Sequence, residues 1–214
     1  MAAIEAVPYY SQHGEDRIIC ERVRLPEKGV FVDVGAGHPT EGSNTYHFEE
    51  RGWTGLCIDA DRRQVQELER SRRCVTVWKL ISENPPGYGE YGEPGVLPIN
   101  LAVEPSLTTV HHHLPDHDFV DIQYVPAAKL ETVLLQHDIG HIDLLSIDVE
   151  GAEIEAWRSM DFNAHLPTVI VIEWNTQGRP SAEEAIRKEF RKLPYICFAK
   201  TPGNLLFAFE GALL

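Results

Sequence analysis

Several things are scarce in this chain, and each scarcity excludes something. Only four cysteines occur among 214 residues, Cys20, Cys57, Cys74 and Cys197, and no two stand at a metal-ligand spacing. A disulfide framework or a zinc module is therefore not expected. Cys57 and Cys197 lie in apolar strand-like runs and read as buried free thiols. No apolar run approaches the roughly 20 residues needed to span a bilayer. The opening stretch, MAAIEAVPYYSQHGED, has no basic segment leading into an apolar core, so no leader is expected and a reducing, cytoplasmic setting follows as the default. Positive charge is scarce too: 19 Lys and Arg stand against 33 Asp and Glu, a net charge of −14. That field repels nucleic-acid backbones and anionic membranes, and neither is an expected partner. No internal repeat or long low-complexity segment is present.

What is there begins with Val30-Phe31-Val32-Asp33-Val34-Gly35-Ala36-Gly37-His38-Pro39. Five residues read as a buried strand, and the chain then turns on two glycines. Gly35 and Gly37 can take positive φ and let a ligand approach bare backbone at the carboxyl edge of a sheet. The third glycine and the Lys-Ser/Thr of an ATP-cradling loop are missing. Further strands are expected at 55–59, 75–80, 143–148 and 168–173, alternating with helices at 43–51, 61–72, 130–137, 151–160 and 181–192. A helix over Ser11–Arg24 precedes them, and strands at 196–200 and 205–209 close the chain around the turn Thr201-Pro202-Gly203-Asn204. Alternation predicts a doubly wound, mostly parallel α/β sheet with right-handed crossovers, and the last two strands form an antiparallel hairpin. The length suits one domain over 1–214, with an N-terminal helical segment over 1–28. Residues 84–121, rich in glycine and proline at their start, break the pattern and read as an insertion, a substrate lid over the open end of the sheet. Arg62, Arg63, Arg70, Arg72 and Arg73 form a basic run that reads as a solvated helix face.

In such sheets ligands bind at the carboxyl ends of the strands. Four of the predicted strands end in acids, Asp33, Asp59, Asp148 and Glu173. Carboxylates crowded at one edge repel one another, and a ligand with hydroxyls and a positive charge, or a metal, offsets that repulsion.

The blocks Ser11-Gln12-x-Gly14-Glu15-Asp16, Phe31-Val32-Asp33-Val34-Gly35-Ala36 with Ser43-Asn44-Thr45, Gly52-Trp53-x-Gly55-Leu56-Cys57-Ile58-Asp59, and Leu145-Ser146-Ile147-Asp148-Val149-Glu150-Gly151-Ala152-Glu153 cover most of 9–160. In that order they resemble the FkbM family of class I S-adenosylmethionine (SAM) methyltransferases. The resemblance implies a seven-stranded Rossmann-like sheet and SAM as cofactor. Asp59 is placed to accept the ribose hydroxyls, with Ala60 beside it. Backbone N–H groups around Gly35, Ala36 and Gly37 are expected to face the methionine part, and Asp33 its ammonium. By family analogy Ser82 lies near the adenine, and Gln12, Glu15 and Asn44 are cofactor-side contacts. Capping of a helix is the plainer role for Glu15 and for Asp61.

Asp148 and Glu150 are expected to take a proton from the attacking hydroxyl. His38 is a further candidate base. Metal-dependent O-methyltransferases of this fold place an acid after strand four and an acid with an amide after strand five; here these positions read Asp148, Glu173 and Asn175, hard oxygen ligands suited to Mg²⁺. Trp174, Tyr88, Tyr91 and His113 are the substrate-side candidates, and the cluster His111-His112-His113 reads as a solvated loop because three consecutive side chains cannot point one way. The expected activity is O-methylation of a hydroxyl on a small secondary metabolite or a glycan, within biosynthesis. N- or carboxyl methylation and a non-catalytic SAM-fold module remain alternatives. A nicotinamide dehydrogenase shares the glycine turn and the ribose acid, but the Asp148–Glu150 block and the closing hairpin speak against it. A homo-oligomer is compatible with all of these.

Overall fold

The computed structural model describes residues 7–87, 95–103, 108, 119–175 and 181–214. Seven strands form one sheet: β1 (Val30–Val34), β2 (Thr54–Asp59), β3 (Val75–Trp78), β7 (Leu144–Ile147), β8 (Val169–Glu173), β9 (Tyr195–Lys200) and β10 (Asn204–Phe209), in the order β3-β2-β1-β7-β8-β10-β9. The first five run parallel, and β10 enters antiparallel between β8 and β9. This is the mostly parallel, seven-stranded Rossmann-like sheet with an antiparallel C-terminal hairpin that the alternation and the resemblance predict.

The central strands are apolar on both faces because both are covered, as parallel sheets require. Val32, Val34, Ile58, Leu145, Ile147, Ile170 and Ile172 pack against α4 (Leu130–Gln136), α5 (Glu153–Arg158) and α6 (Glu183–Phe190) through Leu130, Val133, Trp157, Ile186 and Phe190. Phe31, Cys57, Leu144, Val169, Val171 and Leu206 meet α1 (Glu15–Arg22), α2 (Tyr46–Glu50) and α3 (Arg62–Ser71) through Ile19, Phe48 and Leu68. Strand alternation thus turns Asp33, like Phe31, toward the α1–α3 side. The register sets Asp33 beside Cys57 on β2 and Ser146 on β7.

Two expectations change. The helix predicted from Ser11 begins only at Glu15, after Gly14 at φ 80°. Before it, residues 11–14 turn, closed by Ser11 Oγ donating to Asp16 Oδ1 (2.6 Å) while accepting from the Asp16 N–H (3.2 Å). Tyr10 and Ser11 then lie against Gly42, which lays this segment across the mouth of the glycine turn. The 84–121 insertion, read as a loop, carries a second sheet where it is described. β4 (Leu80–Ile81), β5 (Val96–Ala102) and β6 (Phe119–Ala128) pair in the order β4-β6-β5 around Leu80, Ile99, Leu101, Val125 and Ala127. Prolines hide these strands from a pattern reading. Pro98 sits on edge strand β5, and Pro126 lies where β6 has β5 but not β4 as a paired neighbour, so neither removes a central ladder bond. Among the described residues no helix is long and apolar enough to cross a membrane.

Candidate active site

A cavity of about 1110 Å³ lies at the carboxyl ends of β1, β2, β7 and β8, lined by the 35–38 turn, residues 10–13, Asn44, the 59–61 corner, the 148–150 turn, Glu173 and Asn175. Its shape depends on Gly35. At φ 78°, a Cβ on Gly35 would stand 1.6 Å from the Asp148 carbonyl oxygen, so two turns close on each other only over a bare backbone. The N–H groups of Gly35 and Ala36 bind the Ile58 carbonyl (2.8 and 3.2 Å), and the Gly37 N–H binds Asp59 Oδ2 (2.9 Å). This corrects the expectation that these N–H groups face the cofactor: they lock the turn to β2.

Asp59 ends β2 with its second oxygen accepting from the Asp61 N–H at 2.8 Å. Burial raises its pKa to about 6 against these two hydrogen bonds. Asp61 is the N-cap of α3, accepting from the Arg63 N–H and paired with its guanidinium at 2.6 Å. Thr108, unremarked in the sequence, donates to Asp61 Oδ2 (3.1 Å) and so ties the insertion to the same corner. Ala60 lines the cavity while its carbonyl accepts from the Trp78 indole (2.9 Å).

Asp33 is buried, which raises its pKa, while Thr45, Arg72 and Ser146 oppose that rise. Thr45 Oγ1 donates to Asp33 Oδ2 at 2.6 Å, and Asn44 Nδ2 donates to Ser146 Oγ at 3.2 Å. Asn44 Oδ1 is buried without a hydrogen-bond partner among the described residues. A buried carboxylate and an orphaned amide oxygen in one cavity call for a cationic donor. The ammonium of SAM has that chemistry, and Asp59 has acceptors for a ribose diol, so the residues present fit this cofactor.

Beyond β7 and β8, oxygens of Asp148, Glu150 and Glu173 lie within 4.8 Å of one another. Burial, then the facing Glu173 and the nearby Glu153, raise Asp148 well above the usual carboxylate range. Glu150 sits at φ 53°, a strained value for a residue with a side chain. Glu153 Oε1 holds that turn by accepting from the Gly151 N–H (2.6 Å) and the Val149 N–H (3.3 Å). The third carboxylate of the cluster is thus Glu150, while Asn175 lines the same cavity with its Nδ2 donating to the Pro202 carbonyl (3.1 Å).

Several candidates stand elsewhere than expected. Gln12 lines the cavity, but Glu15 is fully buried behind it. There Glu15 accepts from Thr201 Oγ1 (2.6 Å), Asn204 Nδ2 (3.0 Å) and the His13 N–H (2.9 Å), docking α1 on the C-terminal hairpin. Burial acts to raise its pKa, and these hydrogen bonds outweigh it and hold the carboxylate low. Ser82 is buried outside the cavity wall with its Oγ accepting from the Asn84 N–H, a strand-end turn role. Trp174 packs on the core, gives its indole N–H to the Thr201 carbonyl (3.1 Å) and is covered by Lys200, 3.9 Å from the ring, so it does not face an acceptor. His38 lines the cavity, yet its Nδ1 accepts from the Thr40 and Glu41 N–H groups (3.3 and 2.9 Å). An imidazole accepting at Nδ1 carries its proton at Nε2, which leaves no free lone pair for a base. Tyr88, Tyr91 and His113, with His111 and His112, lie outside the described residues.

Thr45, Ser146, Arg72 and Glu153 are site residues to which the sequence reading assigns no role of their own. Ser146 was visible as the one hydroxyl inside the apolar strand Leu144-Leu145-Ser146-Ile147. Arg72 was not, being one of a run of arginines; it is buried and ion-paired to Glu49 at 2.6 Å rather than solvated.

The model of the methyltransferase FkbM domain matches residues 33–197. No curated protein sequence matches. Among solved structures, the chain is similar to a TehB-like SAM-dependent methyltransferase from Corynebacterium glutamicum, with 14% identity and a TM-score of 0.49 over 94% of this chain and 89% of that one. It is also similar to a chain of a fibrillarin/Nop5p complex, with 11% identity and a TM-score of 0.49 over 93% of this chain and 80% of that one. The match over 33–197 spans the glycine turn, Asp59 and the Asp148–Glu173 acids, and the chain belongs to the FkbM family of SAM-dependent methyltransferases.

Proposed function

We propose that the protein methylates a hydroxyl oxygen of a small secondary metabolite or a glycan, with the acids at the ends of β7 and β8 preparing that oxygen. The observation that carries this reading is the convergence of Asp148, Glu150 and Glu173 within 4.8 Å on the cavity that also holds Asp33 and Asp59. An amine acceptor loses its proton without help and has little use for such a cluster; a hydroxyl has to be deprotonated as it attacks. SAM supplies an electrophilic methyl on a sulfonium. Asp59 would hold the ribose, and Asp33 and Asn44 Oδ1 would take the ammonium. The 148–150 turn orients the acceptor for in-line attack, where correct placement alone accounts for much of the acceleration.

Asp148 and Glu173 retain a proton between them to higher pH than an isolated carboxyl, since two facing carboxylates cannot both ionise freely. Either the ionised member of the cluster takes the acceptor proton, or a divalent cation replaces the shared proton. Three carboxylate oxygens form a hard donor set that suits Mg²⁺, with Asn175 at the same edge. Such a cation would lower the pKa of the acceptor hydroxyl.

The test measures methyl transfer to a panel of hydroxylated acceptors with and without excess EDTA, alongside Asp148→Asn. The reading expects turnover to fall more than about 100-fold in Asp148→Asn while SAM affinity changes less than about threefold. Equal loss of both would move Asp148 into the cofactor site. Full turnover in EDTA leaves the cluster as a proton acceptor and removes the metal.

A further inference from the structure

Arg72 closes α3 as its C-cap and is the most enclosed cation among the described residues, with no side-chain exposure and a partner, Glu49, that is 2% exposed. It is held at each of its three nitrogens. Nε binds Glu49 Oε2 (2.6 Å), Nη1 binds the Pro39 carbonyl (3.0 Å) and Ser43 Oγ (3.4 Å), and Nη2 binds Thr45 Oγ1 (3.0 Å). The guanidinium carbon lies 5.5 Å from the Phe31 ring and 5.1 Å from the Tyr46 ring. One side chain thus joins the end of the glycine turn, the start of α2 and, through Thr45, the acid of β1.

The direction of that last link follows from proton counting. A guanidinium donates only, and it stays charged. The Thr45 oxygen accepts from Arg72, so its single proton goes to Asp33 Oδ2 at 2.6 Å. On the other side, Asn44 Nδ2 donates to Ser146 Oγ, and Ser146, the register partner of Asp33 on β7, opposes the rise of the Asp33 pKa. The Thr45 hydroxyl, loaded from behind by the guanidinium, therefore presents its proton to Asp33, which accepts it. The Cys57 thiol and the carboxylates Asp59 and Asp148 also interact electrostatically with Asp33, and the Arg72 cation opposes the rise of its pKa.

We infer that Arg72 and Thr45 are positioning residues: a relay from the buried guanidinium through the threonine hydroxyl aims the Asp33 carboxylate at the amino end of the methyl donor. The inference rests on the reading that Asp33 receives that ammonium. A merely structural role would stabilise the fold without distinguishing the amino acid end of the ligand from its adenosine end.

Thr45→Val removes the hydroxyl at nearly constant shape, and Thr45→Ser restores it. Binding to the full chain is measured by calorimetry with S-adenosylhomocysteine, which carries the amino acid end, and with methylthioadenosine, which lacks it. Thr45→Val is expected to weaken S-adenosylhomocysteine about tenfold, the scale of one charge-assisted hydrogen bond. Methylthioadenosine is expected to bind as in the wild type, and Thr45→Ser to bind both like the wild type. KM for SAM should rise with kcat at saturation unchanged within about twofold. Should Thr45→Val fail to fold, Thr45→Ala removes the same hydroxyl and is expected to give the same split. Equal loss of both ligands, or no loss of S-adenosylhomocysteine, overturns the relay. Asp33→Asn separates the two readings: if it weakens S-adenosylhomocysteine and Thr45→Val does not, the relay alone fails. If Asp33→Asn leaves that affinity intact, the ammonium site itself is elsewhere.

Discussion

Asp59 is caught between burial, which favours its neutral form, and two hydrogen bonds, which favour its charged form. Its two oxygens accept from the Gly37 and Asp61 N–H groups, yet burial raises its pKa to about 6. In the unfolded chain a carboxyl of this type titrates near 4. Between those values the folded chain holds more protons, so the contribution to stability is present at low pH and is lost as pH rises through about 6. The melting temperature of ligand-free Asp59→Asn minus that of the wild type should therefore become more positive from pH 4 to pH 7. Binding needs the opposite protonation state: SAM affinity measured by calorimetry should fall as pH drops below about 6, and this limb should vanish in Asp59→Asn along with most of the affinity. Gly35 is constrained in another way. Gly35→Ala places a methyl 1.6 Å from the Asp148 carbonyl at φ 78°, and it should lower stability by more than about 2 kcal/mol, read as a fall in melting temperature of roughly 4 °C or more.

At the scale of elements, the turn 148–151 is held in place from behind. Glu150 and Gly151 both have positive φ, and Glu153, in the first turn of α5, binds the N–H groups of Val149 and Gly151. Glu153→Ala should release this turn and lower kcat by roughly 10- to 100-fold, with SAM affinity changed less than about threefold, because the lost bonds orient Glu150 rather than the cofactor corner. Here the sequence was readable: Asp148-Val149-Glu150-Gly151-Ala152-Glu153 stood out as a block, and the five parallel strands followed from β-branched runs. The β5–β6 hairpin was not readable, since Pro98, Asn100 and Pro126 break the alternation and the pairing joins residues such as Ala102 and Phe119 across an intervening segment. Glu15 and Trp174 were misplaced for one reason. Each looked exposed to a ligand in sequence, and each is bound in the structure to the C-terminal hairpin, through Thr201 and Asn204 in one case and the Thr201 carbonyl in the other. Local pattern says nothing of partners so distant in the chain.

For the whole molecule, the sheet edge gathers Asp33, Asp59, Asp148, Glu150 and Glu173 around one cavity in a chain of net charge −14. The fold pays for this arrangement with buried repulsion, and any cation that binds there stabilises the folded state by mass action. Millimolar Mg²⁺ should raise the melting temperature more at pH 8 than at pH 6, because a cation competes with the proton that Asp148 and Glu173 retain; no shift at either pH would count against a cation at this cluster. The central claim is that the glycine turn and Asp59 bind the methyl donor at the edge where the three acids converge. Calorimetric titration of SAM into the wild type and into Asp59→Ala tests it most directly. The account predicts micromolar binding that disappears in the variant; no binding of SAM, with NAD bound in its place, would contradict it.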